Sequence, residues 1–514
     1  MTARVTDYLV IGAGSAGCVL AGRLSQDPDV RVTLVEAGPV DTNENIHVPL
    51  GAGALFRSTL DWDYDTHDEP FLGGRRLYLP RGRVLGGTSS MNGMVYMRGN
   101  PADYDGWGLP GWTFADLLPY FIKSEDNERG ASRYHGAGGP LAVSEGRSNN
   151  PMSTAFVEAA VEAGYAANDD FNGAEQHGFG RYQLTQRDGR RCSSATAYLT
   201  PAAGRPNLTV ETNVQVHRIL VEGGRAVGVV GARLDEEIEI RAEREVIVCA
   251  GAYNSPQLLL LSGIGPADEL AALGIPVVAD LPVGRGLQDH PSANLVYPHS
   301  HPISLLIAGD PKYQREYAEH GTGPLSSNVP EAGGFVSTDG SPVPDVQFHA
   351  SPLMLLAVGL EAPTDHAISF GPCVLSTRSR GTVTLSSADP TVKPRIRHNY
   401  YADDADLRTM VAGLRVGLEI ARQRALSPYT GKLHQPPESD SDADLREYAR
   451  RNTQTLFHPA GTCAMGTVLD AELRVQGVEG LRVVDASAMP TLVRGNTNAP
   501  IIAMAEKAVD LITA

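Results

Sequence analysis

The chain of 514 residues contains 43 Lys and Arg against 60 Asp and Glu, and its formal net charge at pH 7 is −17. This length gives room for a large core and more than one lobe, while the negative charge makes nucleic acid and anionic membrane surfaces poor electrostatic partners. The five cysteines are scattered without C-x-x-C pairs, which predicts no metal site and no disulfide framework and favours the cytoplasm.

The amino terminus is expected to enter a buried strand within a few residues. The sequence contains neither a charged and then apolar leader for secretion nor a run of about 18 apolar residues for a transmembrane helix. We therefore expect no secretory signal and no integral membrane segment.

The first predicted element is a buried strand that leads through a glycine turn into a helix, in the stretch DYLVIGAGSAGCVLAGRL. Gly12, Gly14 and Gly17 have the G-x-G-x-x-G spacing, which allows a tight turn, a close approach to a pyrophosphate and close packing of the helix on the strand. A second strand, 32–35, ends in Glu36, where a carboxylate binds a ribose hydroxyl. Together these features predict a nucleotide-binding βαβ unit rather than an ordinary glycine-rich turn.

A second glycine-rich element follows at 80–100, PRGRVLGGTSSMNGMVYMRGN. Its glycines and small hydroxyl residues would let the backbone come close to a flat or phosphorylated ligand. The local sequence fits a flexible surface loop equally well, and it leaves the choice open.

Periodicity predicts two helices, 117–128 and 150–163, and then strands joined by a hairpin at Gly223-Gly224. A strand at 245–249 leads into AGAYNSPQLLLLSGIGP, in which Asn254 and Ser255 suit the cap of a helix.

The later part of the chain has a different character. From 294 to 441, strand-like stretches such as PDVQFHA and GTVTLSS alternate with apolar loop, which predicts a second, sheet-containing lobe. A helix at 404–424 and a short strand at 481–484, which ends at Asp485, are expected after it.

Eight ordered motifs then make a resemblance plain: DYLVIGAGSAG, LVEAG, GRVLGGTSSMNGMVYMRGN, AGAYNSPQLLLLSGIGP, GRGLQDHP, SNVPEAGGF, FHPAGTCAMG, and LRVVDASAMP followed by GNTNAP. The chain resembles the glucose-methanol-choline (GMC) family of flavin oxidoreductases, and most closely its choline-dehydrogenase-like bacterial members. The resemblance covers nearly the whole chain. It implies an α/β fold with a Rossmann-like FAD-binding domain and a second α+β substrate lobe built on an antiparallel sheet.

On this resemblance the chain alternates between the two lobes. We expect the FAD-binding domain to be formed by 1–149, 205–293 and 442–514, and the substrate lobe by 150–204 and 294–441.

The resemblance also implies which residues contact FAD. The expected cofactor residues are Gly12, Gly14, Ser15, Gly17, Glu36, Gly87, Asn92, Gly93, Met94, Val95, Val214, Asp485, Ala486 and Asn498. Some family members bind FAD covalently through a histidine at the position that Met91 holds here. Since methionine cannot form that bond, the FAD is expected to be non-covalent.

The family's catalytic pair corresponds to His458 and Asn496. Transfer of a hydride from an alcohol carbon to flavin N5 requires the hydroxyl proton to be removed, and imidazole titrates near neutral pH. A neutral amide can hold the same oxygen without competing for its proton. The alternative for His458 is an ordinary turn histidine before proline.

Three substrate residues are less strongly indicated. Phe457 would shape the pocket and oxygen access, although a core phenylalanine fits nearly as well. His349 resembles a substrate-lobe histidine of choline oxidases or is an ordinary sheet histidine. Glu331 reaches toward the substrate or, as we favour, makes a structural hydrogen bond in its loop.

The resemblance therefore implies an FAD-dependent alcohol oxidase or dehydrogenase that converts a primary alcohol to an aldehyde. The reduced flavin would be reoxidised by oxygen or by another acceptor. We expect an uncharged aromatic or apolar alcohol, because the tryptophans that could hold a quaternary ammonium lie outside the expected substrate lobe. The alternatives are a choline dehydrogenase or oxidase, a flavin-containing cyanohydrin lyase, and a non-catalytic FAD-binding protein.

Overall fold

The computed structural model describes residues 4–514, and two large sheets organise them. The strands of these residues are, in chain order, β1 (Arg4–Ile11), β2 (Val32–Val35), β3 (Tyr64–Asp65), β4 (Tyr78–Leu79), β5 (Glu125–Asn127), β6 (Leu141–Glu145), β7 (Gly178–Arg181), β8 (Gln183–Leu184), β9 (Gln186–Arg187), β10 (Arg190–Arg191), β11 (Leu208–Glu211), β12 (Gln215–Glu222), β13 (Arg225–Arg233), β14 (Glu236–Val248), β15 (Arg285–Leu287), β16 (Pro291–Ser292), β17 (Leu295–Pro298), β18 (Ala332–Val336), β19 (Val346–Ser351), β20 (Ala367–Val374), β21 (Gly381–Thr384), β22 (Arg395–Arg397), β23 (Gln454–Thr455) and β24 (Leu481–Val483). The α-helices are α1 (Ser15–Leu24), α2 (Glu44–His47), α3 (Pro101–Asp105), α4 (Phe114–Ser124), α5 (Pro151–Glu162), α6 (Gly251–Leu261), α7 (Ala267–Ala272), α8 (Pro311–His320), α9 (Asp404–Ala421), α10 (Asp442–Asn452) and α11 (Asn498–Thr513).

The first sheet has the order β11-β2-β1-β14-β13-β12, and β24 pairs with β14. β1 runs parallel to its neighbours β2 and β14, β11 runs parallel to β2, and β24 runs parallel to β14. β13 runs antiparallel to both of its neighbours, β12 and β14. Leu9 and Val10 of β1 are fully buried, as expected of a parallel strand covered on both faces. In open sheets of this kind ligands bind beyond the carboxyl ends of the parallel strands.

The last helix of the chain, α11, packs directly on the first, α1. The buried carboxylate of Glu506 accepts hydrogen bonds from Arg23 at 2.7 Å and from the hydroxyl of Tyr198 at 2.9 Å. At the amino end of α11, Oδ1 of Asn498 accepts a hydrogen bond of 2.7 Å from Ser15. This packing holds the carboxyl-terminal motif against the amino end of α1.

The second large sheet is antiparallel and has the order β23-β16-β20-β19-β18-β7, with β17 paired to β20. Helices α5, α9 and α10 contribute to the core around it, in which Phe156, Phe179, Phe348 and Phe370 meet. The predicted α/β class with a second lobe on an antiparallel sheet is confirmed. The division of the chain at 149, 204, 293 and 441 stays a prediction.

Some local expectations needed correction. Asn254 and Ser255 do not cap a helix, because α6 already begins at Gly251, and Ser255 Oγ instead accepts a hydrogen bond from the backbone N–H of Ala250. The strand expected at 245–249 is the last part of the much longer β14. The hairpin at Gly223-Gly224 forms between β12 and β13 as expected.

In the part of the chain that the structure describes, every helix is too short or too polar to cross a membrane. Within the same residues, no group of three or more His, Cys, Asp or Glu side chains is arranged to hold a metal ion.

Candidate active site

A long cavity lies beyond the carboxyl ends of β1 and β2, with an empty volume of about 1190 Å³ that includes open solvent at its mouth. Eight predicted cofactor residues line it: Gly12, Gly14, Ser15, Glu36, Gly87, Val214, Asp485 and Ala486. Trp62 and Arg81 also line it, although the sequence did not indicate them, as do Pro459 and Thr497. Because Pro459 and Thr497 adjoin His458 and Asn496 in sequence, the cavity extends to both predicted catalytic motifs.

The first glycine turn has no room for side chains at two of its positions. A Cβ on Gly12, whose φ is +96°, would lie 2.6 Å from the carbonyl oxygen of Cys249, and one on Gly17 would lie 1.9 Å from that of Gly12. Gly17 thus allows α1 to approach β1, as predicted, without lining the cavity. Gly14 precedes α1 without a side-chain cap among the described residues, which leaves N–H groups of the helix terminus for an anion.

Glu36 lies at the end of β2 and is buried in the wall of the cavity. Its Oε2 accepts a hydrogen bond of 2.8 Å from the N–H of Ala13, and its Oε1 accepts one of 2.8 Å from Gly38. Burial raises the pKa of Glu36 to about 7. Each oxygen keeps a second lone pair, so the carboxylate can still accept a ribose hydroxyl.

The second glycine-rich element is packed against the first rather than a free surface loop. A Cβ on Gly87 would lie 2.7 Å from the Cα of Gly14. Farther along, Oδ1 of Asn92 accepts hydrogen bonds from the N–H of Met94 at 3.1 Å and from Arg191 at 2.8 Å, and the carbonyl of Gly93 accepts one from Asn328 at 2.9 Å.

The predicted residues Asn92, Gly93, Met94 and Val95 follow Gly87 in this loop and do not line the cavity itself. Val95 forms a β-bridge with Leu184. Hydrogen bonds and the bridge thus fix the backbone of the loop from several sides.

Met91 lies in the same loop, and its side chain is buried. It belongs to a small apolar cluster with Ile46, Leu55, Leu60 and Val84. The position at which the family resemblance places a linking histidine in some members is therefore a packed apolar side chain here.

Asp485 follows β24 and joins two chain segments at the cavity. Its Oδ2 accepts hydrogen bonds from the N–H of Gly251 at 2.9 Å and the hydroxyl of Ser255 at 2.5 Å, while Oδ1 accepts one from the N–H of Ser487 at 2.8 Å. The carboxylate thus holds the start of α6 and the turn with Ala486 together. Asn498 lies behind the cavity wall, bonded to Ser15.

The predicted catalytic pair is brought together from two distant motifs. Nδ2 of Asn496 lies 3.3 Å from Nε2 of His458, and Oδ1 of Asn496 accepts a hydrogen bond of 3.1 Å from Nε2 of Gln347. Since Gln347 takes up Oδ1, the N–H₂ group of the amide is presented to the imidazole. A hydroxyl placed at this pair would meet one acceptor and one donor.

His458 is buried and neutral. Burial lowers its pKa well below the usual range, and His290, His349 and Arg81 lower it further. The imidazole therefore carries a lone pair at neutral pH, as a proton acceptor requires.

The loop around His458 is held by Asp289, which the sequence did not single out. Oδ1 of Asp289 accepts a hydrogen bond of 2.8 Å from the backbone N–H of His458. Its Oδ2 accepts hydrogen bonds of 2.5 Å from the hydroxyls of Tyr400 and Thr455. Asp289 and His290 lie in the GRGLQDHP motif, which signalled the family without assigning either residue a role.

The three expected substrate residues lie in different settings. Phe457 directly precedes His458 with a φ of 68°, and its ring packs 6.4 Å from that of Phe56. His349 lies two residues after Gln347 on β19, and its buried ring interacts with the side chain of Asn496. Burial lowers the pKa of His349 to about 3.

Glu331 has a set of partners that suits a structural role. Its carboxylate accepts hydrogen bonds of 2.7 Å from Ser153 and Ser327 and lies 3.4 Å from Arg181. These bonds connect α5 to β18, as the structural alternative for Glu331 expects.

Comparison with known proteins decides the family. Two GMC oxidoreductase models match the chain, at residues 6–292 and 377–505. The chain belongs to the GMC oxidoreductase family. It is 45% identical to human mitochondrial choline dehydrogenase, over 98% of this chain and 89% of that one. It is 44% identical to the oxygen-dependent choline dehydrogenase of Paraburkholderia phymatum, over 100% and 93% of the two chains.

Solved structures agree with this GMC assignment. Pyridoxine 4-oxidase from Mesorbium loti has a TM-score of 0.90 at 33% identity, over 98% of both chains. A formate oxidase variant from Aspergillus oryzae, studied for FAD modification, has a TM-score of 0.92 at 28% identity, over 100% of this chain and 99% of that one. The protein is thus an FAD-dependent oxidoreductase that acts on small alcohols, and its cavity suits the cofactor: two touching glycine turns, an uncapped helix terminus and a buried acid.

Proposed function

We propose that this GMC oxidoreductase converts a primary alcohol to an aldehyde, with His458 as the acid/base group and Asn496 as the hydrogen-bonding partner. The observation that carries the proposal is the contact of 3.3 Å between His458 Nε2 and Asn496 Nδ2, oriented by Gln347. This contact places a neutral base and an amide hydrogen-bond donor next to each other. A substrate hydroxyl needs both, the base to take its proton and the donor to bind its oxygen.

In the proposed mechanism, residues of this chain handle the hydroxyl proton. Nε2 of His458 accepts that proton while Nδ2 of Asn496 donates a hydrogen bond to the oxygen, which stabilises its developing negative charge. When bound, FAD supplies at flavin N5 the acceptor for the hydride that leaves the carbinol carbon. The O–H and C–H bonds break and a C=O bond forms, so the alcohol loses two electrons and two hydrogens. The burial of His458 shields its imidazole from bulk water.

FAD is proposed to lie in the cavity at the carboxyl ends of β1 and β2. Gly12, Gly14 and Ser15 would contact the pyrophosphate, and Glu36 the adenosine ribose. The loop after Gly87 would contact the flavin. We propose that the cofactor is not covalently linked, because the buried thioether of Met91 offers no nucleophile for the bond that a histidine makes in some relatives.

For the substrate we propose an uncharged aromatic or apolar primary alcohol. Choline is the second candidate, and the relatives at 44–45% identity favour it. Oxygen and another electron acceptor both remain candidates for reoxidation. The five free, buried cysteines support a reducing cytoplasm as the compartment.

The test is anaerobic mixing of the FAD-loaded protein with a panel of alcohols. The proposal expects at least one primary alcohol to bleach the flavin absorbance at a rate that depends on its concentration, with the aldehyde formed in equal amount. A cyanohydrin included in the panel tests the lyase alternative, because a lyase would split it into an aldehyde and hydrogen cyanide without bleaching the flavin, and a non-catalytic binding protein would do neither. Parallel turnover with oxygen and with an artificial acceptor separates an oxidase from a dehydrogenase.

A further inference from the structure

A second histidine lies directly behind the predicted base. Nδ1 of His290 is 3.0 Å from Nδ1 of His458, and the two rings meet edge to face at an interplanar angle of 88°. His290 is fully buried. It precedes β16 and is fixed through its own backbone, since its carbonyl accepts a hydrogen bond of 3.0 Å from the N–H of Leu456.

The partners of His290 determine where the protons on both rings lie. Nε2 of His290 is 3.1 Å from the carbonyl oxygen of Leu375, and a carbonyl can only accept, so Nε2 carries the hydrogen. Burial lowers the pKa of His290 to about 4, which leaves the ring neutral. Its Nδ1 is then an acceptor, and the contact with His458 requires that His458 donate from Nδ1.

We infer that His290 is a positioning residue that holds His458 in the Nδ1–H tautomer, with the Nε2 lone pair directed at Asn496 and the substrate hydroxyl. This inference rests on the proposed function of His458 as base. A general base in an enzyme is commonly oriented by a third group, often a carboxylate. Here a neutral imidazole takes that place, and the chain of contacts runs from Leu375 through His290 and His458 to Asn496.

The nearby carboxylate does not replace His290 in this role. Asp289 contacts the backbone N–H of His458 rather than its ring, and its other oxygen serves Tyr400 and Thr455. The charged or titratable groups that act on the two rings are Asp289 and Arg494 for His290, and His349 and Arg81 for His458. These groups change the proton affinity of the two imidazole rings without a hydrogen bond to Nδ1 of His458. Among the described groups, His290 alone contacts that atom.

Two substitutions of His290 separate the effect of its hydrogen bond with His458 from the effect of the space that its side chain fills. His290→Asn keeps an oxygen near the position of Nδ1 that can accept from His458, whereas His290→Leu fills the space without an acceptor. We expect His290→Leu to slow anaerobic flavin reduction roughly 10- to 100-fold, and His290→Asn to stay within about threefold of the wild type. FAD content and thermal stability are measured for both, and His299→Leu, which removes a half-buried imidazole of the other lobe, serves as the control.

The direct readout does not depend on turnover. ¹⁵N NMR of the histidine-labelled holoenzyme, assigned with His458→Gln, should show Nδ1 of His458 protonated and Nε2 unprotonated in wild type and His290→Asn. His290→Leu should show both tautomers in exchange. Protonated Nε2 in the wild type, an unchanged spectrum and rate in His290→Leu, or a His290→Asn variant as slow as His290→Leu would overturn the inference. If the protein oxidised no alcohol, the proposed function would fail and the spectra would still decide the tautomer.

Discussion

Gln347 donates a hydrogen bond of 3.1 Å to Oδ1 of Asn496, and this bond joins the antiparallel sheet to the carboxyl-terminal motif. Gln347 lies on β19, while Asn496 precedes α11, which packs on α1 and α4 of the nucleotide lobe. The orientation of the Asn496 amide toward His458 is therefore set from the substrate lobe. The geometry of the proposed catalytic pair depends on both lobes, although both of its members come from the last part of the chain.

Replacement of the predicted base should affect the reductive half-reaction. His458→Gln keeps a polar side chain that cannot take a proton, so anaerobic flavin reduction should slow by roughly 10²- to 10⁴-fold. Asn496→Ala, which removes only a hydrogen bond, should slow the same step less. Stopped-flow absorbance measures both, with FAD content as the control for folding. A flavinated His458→Gln that reduces its flavin at the wild-type rate would remove His458 from the mechanism.

The attachment of FAD is predicted from Met91. Because its buried thioether packs against Ile46, Leu55, Leu60 and Val84, precipitation with acid should release all of the yellow cofactor into the supernatant. Met91→Leu, which keeps an apolar side chain of similar volume, should retain FAD to the same extent before denaturation. Flavin that remained with the pellet would show a covalent bond elsewhere.

The sequence predicted the elements whose signals are local. The strand, glycine turn and helix at 7–24 and the β12–β13 hairpin follow from short-range spacing, and the proposed catalytic residues follow from family motifs. His290 and Asp289 were not predicted as parts of the site, because they reach His458 across 168 and 169 residues of sequence. No periodicity encodes a contact made between two neighbouring strands of a sheet at such separation.

The position of Trp62 is a second feature that local sequence patterns did not predict. Its segment, LDWDYDTHDEP, was expected to be a loop or hairpin, and β3 does pair with β4. Nothing in that segment indicated that Trp62 would line the cavity. The guanidinium of Arg83 lies 5.2 Å from the centroid of its ring. The position of a loop on the finished sheet depends on tertiary packing, which local spacing does not specify.

Close packing predicts a strong effect at Gly17. In Gly17→Ala the new Cβ would lie 1.9 Å from the carbonyl oxygen of Gly12, so the turn or α1 must move, at a cost of about 1–3 kcal/mol. We expect lower FAD occupancy and a lower melting temperature. Gly53→Ala is the matched control, because a Cβ there would meet no described atom within 4 Å. Equal behaviour of the two variants would contradict the close packing of α1 on the turn.

Buried histidines predict a loss of stability in acid. The folded pKa of His349 is lowered to about 3 by burial, whereas the unfolded chain takes up a proton near pH 6.5. The histidine therefore costs no stability above about pH 6.5 and destabilises the fold increasingly as the pH falls toward 3, by about 2 kcal/mol at pH 5.

The measurement compares variants, because Glu36 and Glu69 act in the opposite direction: burial raises the pKa of each to about 7, so they favour the folded state as the pH falls. Relative to the wild type, His349→Leu should gain stability between pH 7.5 and pH 5 in chemical denaturation. Phe348→Leu, a buried change on the same strand without a titrating group, should differ from the wild type equally at both pH values. A His349→Leu difference that did not change with pH would refute the prediction.

For the substrate, the identity to choline dehydrogenases and the positions of the aromatic residues in this chain point in different directions. A quaternary ammonium is usually held by aromatic faces. Trp107 and Trp112 are buried in the core of the nucleotide lobe. The hydroxyl of Tyr400 is bonded to Asp289 and that of Tyr401 contacts Thr453, and both rings lie in the core of the other lobe.

The carboxylates near the site are also engaged, Asp289 with the His458 loop and Glu331 with Ser153 and Ser327. We propose that the apolar stretches around Leu305 and Met354, both buried, contribute to a substrate pocket, which would suit an uncharged chain or ring better than a cation. At about 0.8 kcal/mol per buried methylene, two further carbons would give a preference of about tenfold. We therefore expect benzyl-type or medium-chain alcohols to have a higher kcat/KM than choline when all are measured with one electron acceptor. If choline gave the highest kcat/KM of the panel, the prediction would be wrong and the activity of the relatives would be the better guide.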